Sequence, residues 1–173
     1  MKTKLHTQTV TLSIDNQEVT VPKGTTILEA AKGLGVEIPT LCHLKELAPD
    51  GSCRMCVVEV EGGRRGGLTT ACTAHCQEDM VVATHSEKVA DSRRFILDLL
   101  LSNHKLECFS CGKNGDCQVQ QYALDYGIDA TSFTEGKRMP CHQEDTSNQF
   151  FSYDPERCIM CRRCARVCQK GKK

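Results

Sequence analysis

The chain has 173 residues, of which 22 are basic and 22 acidic, so its formal net charge is zero. A neutral chain lacks the basic surplus that phosphate binding usually needs, which argues against a nucleic-acid partner. With 13 cysteines, no Trp and few aromatic residues, its cysteine-rich parts need disulfides, zinc or iron–sulfur clusters to hold them together.

The sequence shows neither a membrane span nor a secretory signal, and both observations bear on the cellular compartment. No apolar stretch approaches the ~18 residues that a membrane span requires, so no membrane insertion is expected. The first residues include basic side chains but no apolar core of a secretory signal. We therefore expect a cytoplasmic protein, where thiols stay reduced and dense cysteines usually bind metal.

The first predicted elements are a β-hairpin and a short helix. Residues 7–14 alternate polar and β-branched side chains, Asp15 and Asn16 offer a turn, and EVTVP resumes the alternation. TILEAAKGLG has apolar residues at helical spacing, and Gly33 and Gly35 mark its end. Further strands are predicted at MCVVEVEG and MVVATH. This order of hairpin, helix and later strands indicates a β-grasp fold.

The first group of ligand candidates consists of four cysteines with the spacing C-x10-C-x2-C-x15-C: Cys42, Cys53, Cys56 and Cys72. Two irons need four thiolates, most of them from one loop folded around the cluster. Three of the four share one turn-rich loop, in which Gly51 lets the backbone approach the sulfides. Cys76 is an alternative to Cys72 as the fourth ligand. We favour Cys72 because it ends the apolar-polar run TTAC. Zinc fits this site poorly, since it commonly takes two C-x2-C pairs.

Residues 7–86 resemble the β-grasp [2Fe–2S] domain that opens the large iron–sulfur subunit of respiratory complex I. The same domain opens many iron-only hydrogenases, formate dehydrogenases and the small diaphorase subunits of NAD-reducing hydrogenases. The first gap exceeds the plant-ferredoxin spacing C-x4-C-x2-C, as expected for that branch. The resemblance covers essentially the whole chain. It implies an α+β protein with a β-grasp [2Fe–2S] domain at 1–86, a linking helix plus a small His/Cys3 [4Fe–4S] domain at 87–145, and a partial bacterial-ferredoxin-like [4Fe–4S] segment at 146–173.

The longest predicted helix is EKVADSRRFILDLLLS at 87–102, where Val89, Ile96 and Leu100 share one face. Thr84 and Glu87, at its start, have the spacing of a capping box.

The segment HKLECFSCGKNGDC follows this helix directly and has the spacing H-x3-C-x2-C-x5-C. A lone histidine at a helix end is ordinarily a C-cap or a solvated residue. The resembled family carries a [4Fe–4S] cluster here, held by one histidine and three cysteines. The resemblance therefore implies the ligands His104, Cys108, Cys111 and Cys117. Exchanging a thiolate for a neutral imidazole removes one negative charge and is expected to raise the reduction potential.

The last group of cysteines has the bacterial ferredoxin spacing C-x2-C-x2-C-x3-C: Cys158, Cys161, Cys164 and Cys168. The first three predict ligands of a second [4Fe–4S] cluster, whereas the fourth cysteine of such a run usually ligates another cluster. On a helix, the x3 spacing points Cys168 away from the first cubane. A matching second run should follow, yet the chain stops at Lys173. The site therefore either takes its fourth ligand from elsewhere or stays incompletely loaded.

Cys141 is a spare thiol that could supply that ligand. For Cys141, as for Cys76, the simpler interpretation is a free cysteine packed as a small hydrophobe. Zinc is a less poor alternative at this last group than at the first. Four other histidines are interpreted as solvated or hydrogen-bonded: His43, His75, His85 and His142.

Iron–sulfur clusters pass single electrons and do no bond chemistry. The sequence shows no Gly-rich nucleotide fingerprint, P-loop or nucleophile–base pair. We therefore predict an electron-transfer subunit of a hetero-oligomer, which links a flavin/NAD(P)-binding subunit with a hydrogenase, formate dehydrogenase or similar catalytic subunit, electron-bifurcating assemblies included. The alternatives are a standalone ferredoxin or iron–sulfur redox sensor, and a zinc-binding interaction module.

Overall fold

The computed structural model describes residues 8–61, 66–133 and 143–171. These residues form two compact units: the first runs from residue 8 to Arg93 and resumes at Arg163, and the second is Arg94–Arg162. Among the described helices, none is both long and apolar enough to cross a bilayer.

The first unit is built on a five-stranded sheet. Its elements are β1 (Thr9–Ile14), β2 (Gln17–Pro22), α1 (Ile27–Gly33), β3 (Val57–Glu61), β4 (Gly67–Thr70), β5 (Met80–Ala83) and, near the C-terminus, α4 (Arg163–Lys170). The strand order is β2-β1-β5-β3-β4. Strands β1 and β5 pair in parallel, and the other neighbours are antiparallel. This mixed sheet with its packed helix confirms the predicted α+β class. The short strand β4 was not predicted.

The predicted hairpin is confirmed by its register and its turn. Strand β1 pairs with β2 from Thr9 opposite Pro22 to Ile14 opposite Gln17. The two turn residues, Asp15 and Asn16, have φ angles of 48° and 66°. Both lie in the left-handed region that a type I′ turn requires and that Asp and Asn tolerate.

Helix α1 packs one apolar face on the sheet. Its N-cap is Thr26, whose hydroxyl accepts a hydrogen bond from the Glu29 N–H at 3.2 Å, while the Glu29 carboxylate accepts from the Thr26 N–H at 2.9 Å. This reciprocal pair is a capping box. Gly35, with a φ of 76°, follows the helix as predicted. The buried core joins α1 to the inward side chains of the strands: Leu12, Ile14, Ile27, Ala30, Ala31, Val58, Val60 and Val82.

Helix α2 (Glu87–Ser102) begins in the first unit and ends in the second. The predicted capping box at its start is wrong, because the Thr84 hydroxyl donates instead to the Asp15 carboxylate at 2.5 Å. The cap is Ser86, whose hydroxyl accepts from the Val89 N–H at 3.3 Å.

The second unit contains the rest of α2, a 3-10 helix (Cys108–Ser110) and α3 (Gln118–Asp125). Asp98 on α2 binds Ser132, which follows α3 in the chain. Its two carboxylate oxygens accept hydrogen bonds from the Ser132 N–H at 3.0 Å and from the Ser132 hydroxyl at 2.6 Å. The Phe95 and Phe133 rings meet edge to face with centroids 5.9 Å apart. These contacts join α2 to residues 132–133 within the second unit.

Candidate metal centres

The first unit brings the four cysteines of the predicted [2Fe–2S] site together in its interior. Cys42, Cys53, Cys56 and Cys72 are between 1% and 7% exposed. Their sulfurs form two pairs: Cys56 Sγ lies 3.3 Å from Cys72 Sγ, and Cys42 is hydrogen-bonded to Cys53. Two pairs of thiols match a group of two irons, each held by two cysteines.

Neutral donors surround these sulfurs. Burial raises the pKa of Cys42, but hydrogen bonds from the Cys53 N–H and from Ser52 outweigh it and leave the pKa lowered. The Cys56 thiol donates to the Cys72 sulfur, which lowers the pKa of Cys72 and raises that of Cys56. The Gly51 N–H also donates to Cys72. Hydrogen bonds of this kind stabilise thiolates, the form that binds iron.

Gly51 is required in the loop for a steric reason as well. Its φ is 67°, and a Cβ at this position would lie 3.1 Å from the Thr73 methyl carbon. Glycine adopts this left-handed conformation without the penalty that a side chain adds.

Cys76 differs from the four paired thiols, because none of them is among the groups that shift the pKa of its own thiol. It is 4% exposed and belongs to the apolar core of the sheet, and burial raises the pKa of its thiol. Its N–H donates to the Thr25 carbonyl at 2.9 Å. The geometry therefore favours Cys72 as the fourth member of the group and leaves Cys76 as a packed hydrophobe.

Helix α4 is bonded to the loop that carries Cys42. The Arg166 guanidinium donates to the Cys42 carbonyl at 3.0 Å and to the Ala48 carbonyl, and the Lys170 ammonium donates to the Glu46 carbonyl. All three carbonyls lie at or just after the first ligand, within the long x10 gap. The extra residues of this gap thus provide acceptors for α4.

The second unit brings His104, Cys108, Cys111 and Cys117 to one cavity of about 310 Å³. The other walls are largely apolar: Leu101, Leu106, Val119, Ala123, Leu124 and Ile128. Burial, followed by the positive charge of Arg157, lowers the pKa of His104, which favours its neutral form. Its Nδ1 atom is buried without a hydrogen-bond partner among the described residues.

A buried polar atom without a partner is costly and calls for an explanation such as a bound ion. One neutral imidazole and three thiols around an apolar cavity fit the donor set expected for a [4Fe–4S] cluster with one histidine ligand. The Cys111 sulfur accepts hydrogen bonds from the Lys113 N–H and from the Arg157 side chain. Both bonds lower the pKa of the Cys111 thiol, and the bond from Lys113 has the larger effect. Gly115, with a φ of 78°, forms part of the turn before Cys117.

The cysteines of the last group fall in two parts of the chain. Cys158 and Cys161 belong to the second unit, whereas Cys164 and Cys168 lie on α4. The Met160 N–H donates to the Cys158 sulfur at 3.3 Å. Within the described parts of the chain, no three His, Cys, Asp or Glu side chains are placed to hold a single metal ion. Cys141, the spare thiol interpreted as a free cysteine or a fourth ligand, lies outside the described residues.

Two of the other histidines are hydrogen-bonded as predicted. His75 Nδ1 lies 2.9 Å from the Gly24 carbonyl, and His85 Nδ1 lies 2.6 Å from the Thr84 hydroxyl. His43 differs, because its Nδ1 is buried with no partner in the described structure. His142 lies outside the described residues.

Three family models match successive parts of the chain. A 2Fe-2S iron-sulfur cluster binding domain matches residues 7–87, the NADH-ubiquinone oxidoreductase-G iron-sulfur binding region matches 93–132, and a 4Fe-4S binding domain matches 151–171. These matches confirm the predicted cofactor types, [2Fe–2S] and [4Fe–4S].

Individual relatives agree over nearly the whole chain. A G-type subunit of the NADH-quinone oxidoreductase of Rhizobium meliloti is 40% identical over 161 residues, which is 93% of this chain and 19% of that protein. The HndD subunit of the NADP-reducing hydrogenase of Solidesulfovibrio fructosivorans is 42% identical over 164 residues, 92% of this chain and 27% of that protein. The chain thus spans about a fifth to a quarter of the length of these curated relatives.

This chain covers a larger share of one protein of known structure. A crystal structure of NAD+-reducing [NiFe]-hydrogenase in the H2-reduced state matches with a TM-score of 0.84 and 34% identity, over 95% of this chain and 68% of that one. The chain therefore belongs to the family of iron–sulfur electron-transfer regions found in the G-type subunits of NADH-quinone oxidoreductases and in NADP- and NAD+-reducing hydrogenases.

Proposed function

We propose that this chain relays single electrons between a flavin/NAD(P)-binding subunit and a catalytic oxidoreductase subunit within a hetero-oligomer. The catalytic subunit would be a hydrogenase, a formate dehydrogenase or a similar enzyme, and electron-bifurcating assemblies fall within this proposal. The observation that supports it most strongly is the presence of two separate thiol-rich sites in one short chain, one in each compact unit.

We further propose the ligands of these sites. The [2Fe–2S] cluster would be held by Cys42 with Cys53 and by Cys56 with Cys72, and the first [4Fe–4S] cluster by His104, Cys108, Cys111 and Cys117. Cys158, Cys161 and Cys164 would hold a second [4Fe–4S] cluster, with Cys168 or a residue elsewhere as the remaining candidate. Bound clusters of these types accept and release one electron at a time.

The protein groups around the first site suit that task. The four thiols are nearly inaccessible to solvent, so they would hold a cluster away from water. The Gly51 and Cys53 N–H groups donate to ligand sulfurs, so that the electron-rich thiolates are stabilised by donors already in place. At the second site, the neutral His104 imidazole replaces one thiolate and lowers the negative charge that each added electron meets.

Affinity isolation of the native assembly under anaerobic conditions tests the proposal. We expect a flavoprotein to co-purify with the chain, and NAD(P)H to bleach the visible absorbance and produce EPR signals of reduced clusters. Iron should reach roughly six to ten atoms per chain. An isolated monomer whose clusters NAD(P)H does not reduce in cell extract would contradict the proposal and favour a standalone ferredoxin or redox sensor. A colourless zinc protein would contradict both.

The His104 ligand can be tested separately. His104→Ala should remove or destabilise one [4Fe–4S] cluster, whereas His104→Cys should retain it at a lower potential because a thiolate adds negative charge. Iron content and EPR signals that stay unchanged in both variants would show that His104 is not a ligand.

A further inference from the structure

A turn from Asp154 to Arg157 lies against the His104 site within the second unit. The Lys105 N–H, one residue after His104, donates to the Glu156 carbonyl at 2.8 Å. The Lys105 ammonium also lies 3.7 Å from the Glu156 carboxylate. The Asp154 carboxylate accepts from the Glu156 N–H at 2.9 Å and so stabilises the turn. These contacts fix the turn relative to the residue that follows His104.

Arg157 extends from this turn to a proposed cluster ligand. Its Nε atom lies 3.1 Å from the Asp154 carboxylate, and the two side chains are about 30% exposed, at 31% and 29%. The guanidinium also donates a hydrogen bond to the Cys111 sulfur. A guanidinium carries five donors in a rigid plane, so one edge can bind a carboxylate while another donor binds a sulfur.

We propose that Arg157 is a positioning residue that raises the reduction potential of the cluster at His104, Cys108, Cys111 and Cys117. This inference rests on the ligands of the proposed function. Reduction adds one electron to the site, makes the ligand sulfurs more negative and breaks no bond. A cationic donor bonded to the Cys111 sulfur stabilises that reduced form more than the oxidised one. Asp154 holds the donor in the orientation that this requires.

Arg157 is distinct from the other donors at this sulfur. The Lys113 N–H is a neutral backbone donor, present with any side chain, whereas Arg157 brings a full positive charge. Arg157 also directly precedes Cys158 in the chain. Hydrogen bonds to cluster sulfurs and the local charge are two of the features by which proteins set such potentials.

Redox titration of the full chain, followed by EPR, tests the proposal with Arg157→Gln, Arg157→Lys and the matched control Arg94→Gln. Arg94 is an arginine of the same unit, and its Nε donates to the Tyr126 carbonyl at 3.1 Å rather than to a ligand sulfur. The EPR signal of the site is assigned with His104→Cys. The [2Fe–2S] signal of each sample serves as an internal reference.

We expect Arg157→Gln to lower the reduced-to-oxidised ratio of the His104 cluster about tenfold at fixed potential, which is about 59 mV for one electron. Arg157→Lys, which keeps the charge without the planar donor, should lower the reduction potential of this cluster by less. Arg94→Gln should leave that potential unchanged. An unchanged potential in both Arg157 variants, or loss of this cluster from both, overturns the proposal. An unchanged potential with the cluster present leaves the proposed function standing, whereas an EPR spectrum that His104→Cys does not alter refutes the ligand set itself.

Discussion

Replacing Cys72 and Cys76 one at a time with alanine separates the two candidates for the fourth [2Fe–2S] ligand. The two thiols are four residues apart and equally inaccessible, at 1% and 4% exposed, so burial alone does not distinguish them. Their sulfur contacts do, because Cys72 Sγ lies 3.3 Å from Cys56 Sγ, whereas no cysteine neighbour is among the groups that shift the pKa of Cys76. The same substitution therefore removes a proposed ligand at one position and a core side chain at the other.

The expected effects differ in kind. Cys72→Ala should leave the cluster with three protein ligands, and the chain should lose about two irons and the [2Fe–2S] EPR signal. Cys76→Ala removes one buried sulfur from a packed core, which should cost about 1–2 kcal/mol of unfolding free energy while the irons remain. The measurements are iron and sulfide content of anaerobically purified full chain, EPR of the reduced sample, and urea unfolding.

Each outcome bears on the geometric argument. Retention of both irons in Cys72→Ala, or their loss in Cys76→Ala with the sheet still folded by circular dichroism, would refute the pairing of Cys56 with Cys72. The [4Fe–4S] signals of the same samples show whether a loss is local. If those signals disappear together with the [2Fe–2S] signal, the variant has failed to fold. The assignment is then decided by the other of the two variants, Cys72→Ala or Cys76→Ala.

Three further substitutions probe the frame around this site. Gly51→Ala should lower the unfolding free energy in urea by about 1–3 kcal/mol because of its positive φ, whereas Gly33→Ala, a helical position with open space around it, should be neutral or stabilising. Arg166→Met should speed amide hydrogen exchange in α4 about tenfold, since it removes bonds from a charged donor to two loop carbonyls; unchanged exchange would show that these bonds do not hold the helix. Thr26→Ala should cost about 0.5–2 kcal/mol in the same urea assay by opening the capping box with Glu29, and Thr26→Ser should restore most of it.

Local patterns in the sequence predicted the first unit well. Alternation along β1 and β2, with Asp15 and Asn16 between them, determines a hairpin from neighbouring residues alone. Thr26 and Glu29 also have capping-box spacing, a local signal for the start of α1. Strand β4 was missed because four residues, GLTT, are too few to show a period. Helix α3 was missed because its sequence, QVQQYALD, is largely polar and buries one residue, Val119.

The side chains that support the proposed ligands are harder to find from sequence. Arg166 lies 124 residues from Cys42, and Arg157 is also remote in sequence from Cys111. No local period links an arginine to a carbonyl or a sulfur so far away in the chain. Ligand spacing, by contrast, is a local property, because three cysteines of each proposed site lie within one short stretch of sequence. Ligand spacing together with the family resemblance could therefore predict the cluster types, whereas the supporting contacts could not be predicted.

The two described sites differ in the charge that surrounds them. At the first site, four thiolates are proposed as ligands, and the donors to their sulfurs are neutral: backbone N–H groups and Ser52. At the second, the neutral His104 imidazole is proposed in place of one thiolate, and the cation Arg157 donates to Cys111. Both differences act in the same direction, since each lowers the negative charge that an added electron meets. The His104 site is therefore expected to hold its electron more tightly than an all-cysteine [4Fe–4S] cluster that has no cationic donor to a ligand sulfur. In the Arg157→Gln variant, only the imidazole would remain to produce that difference.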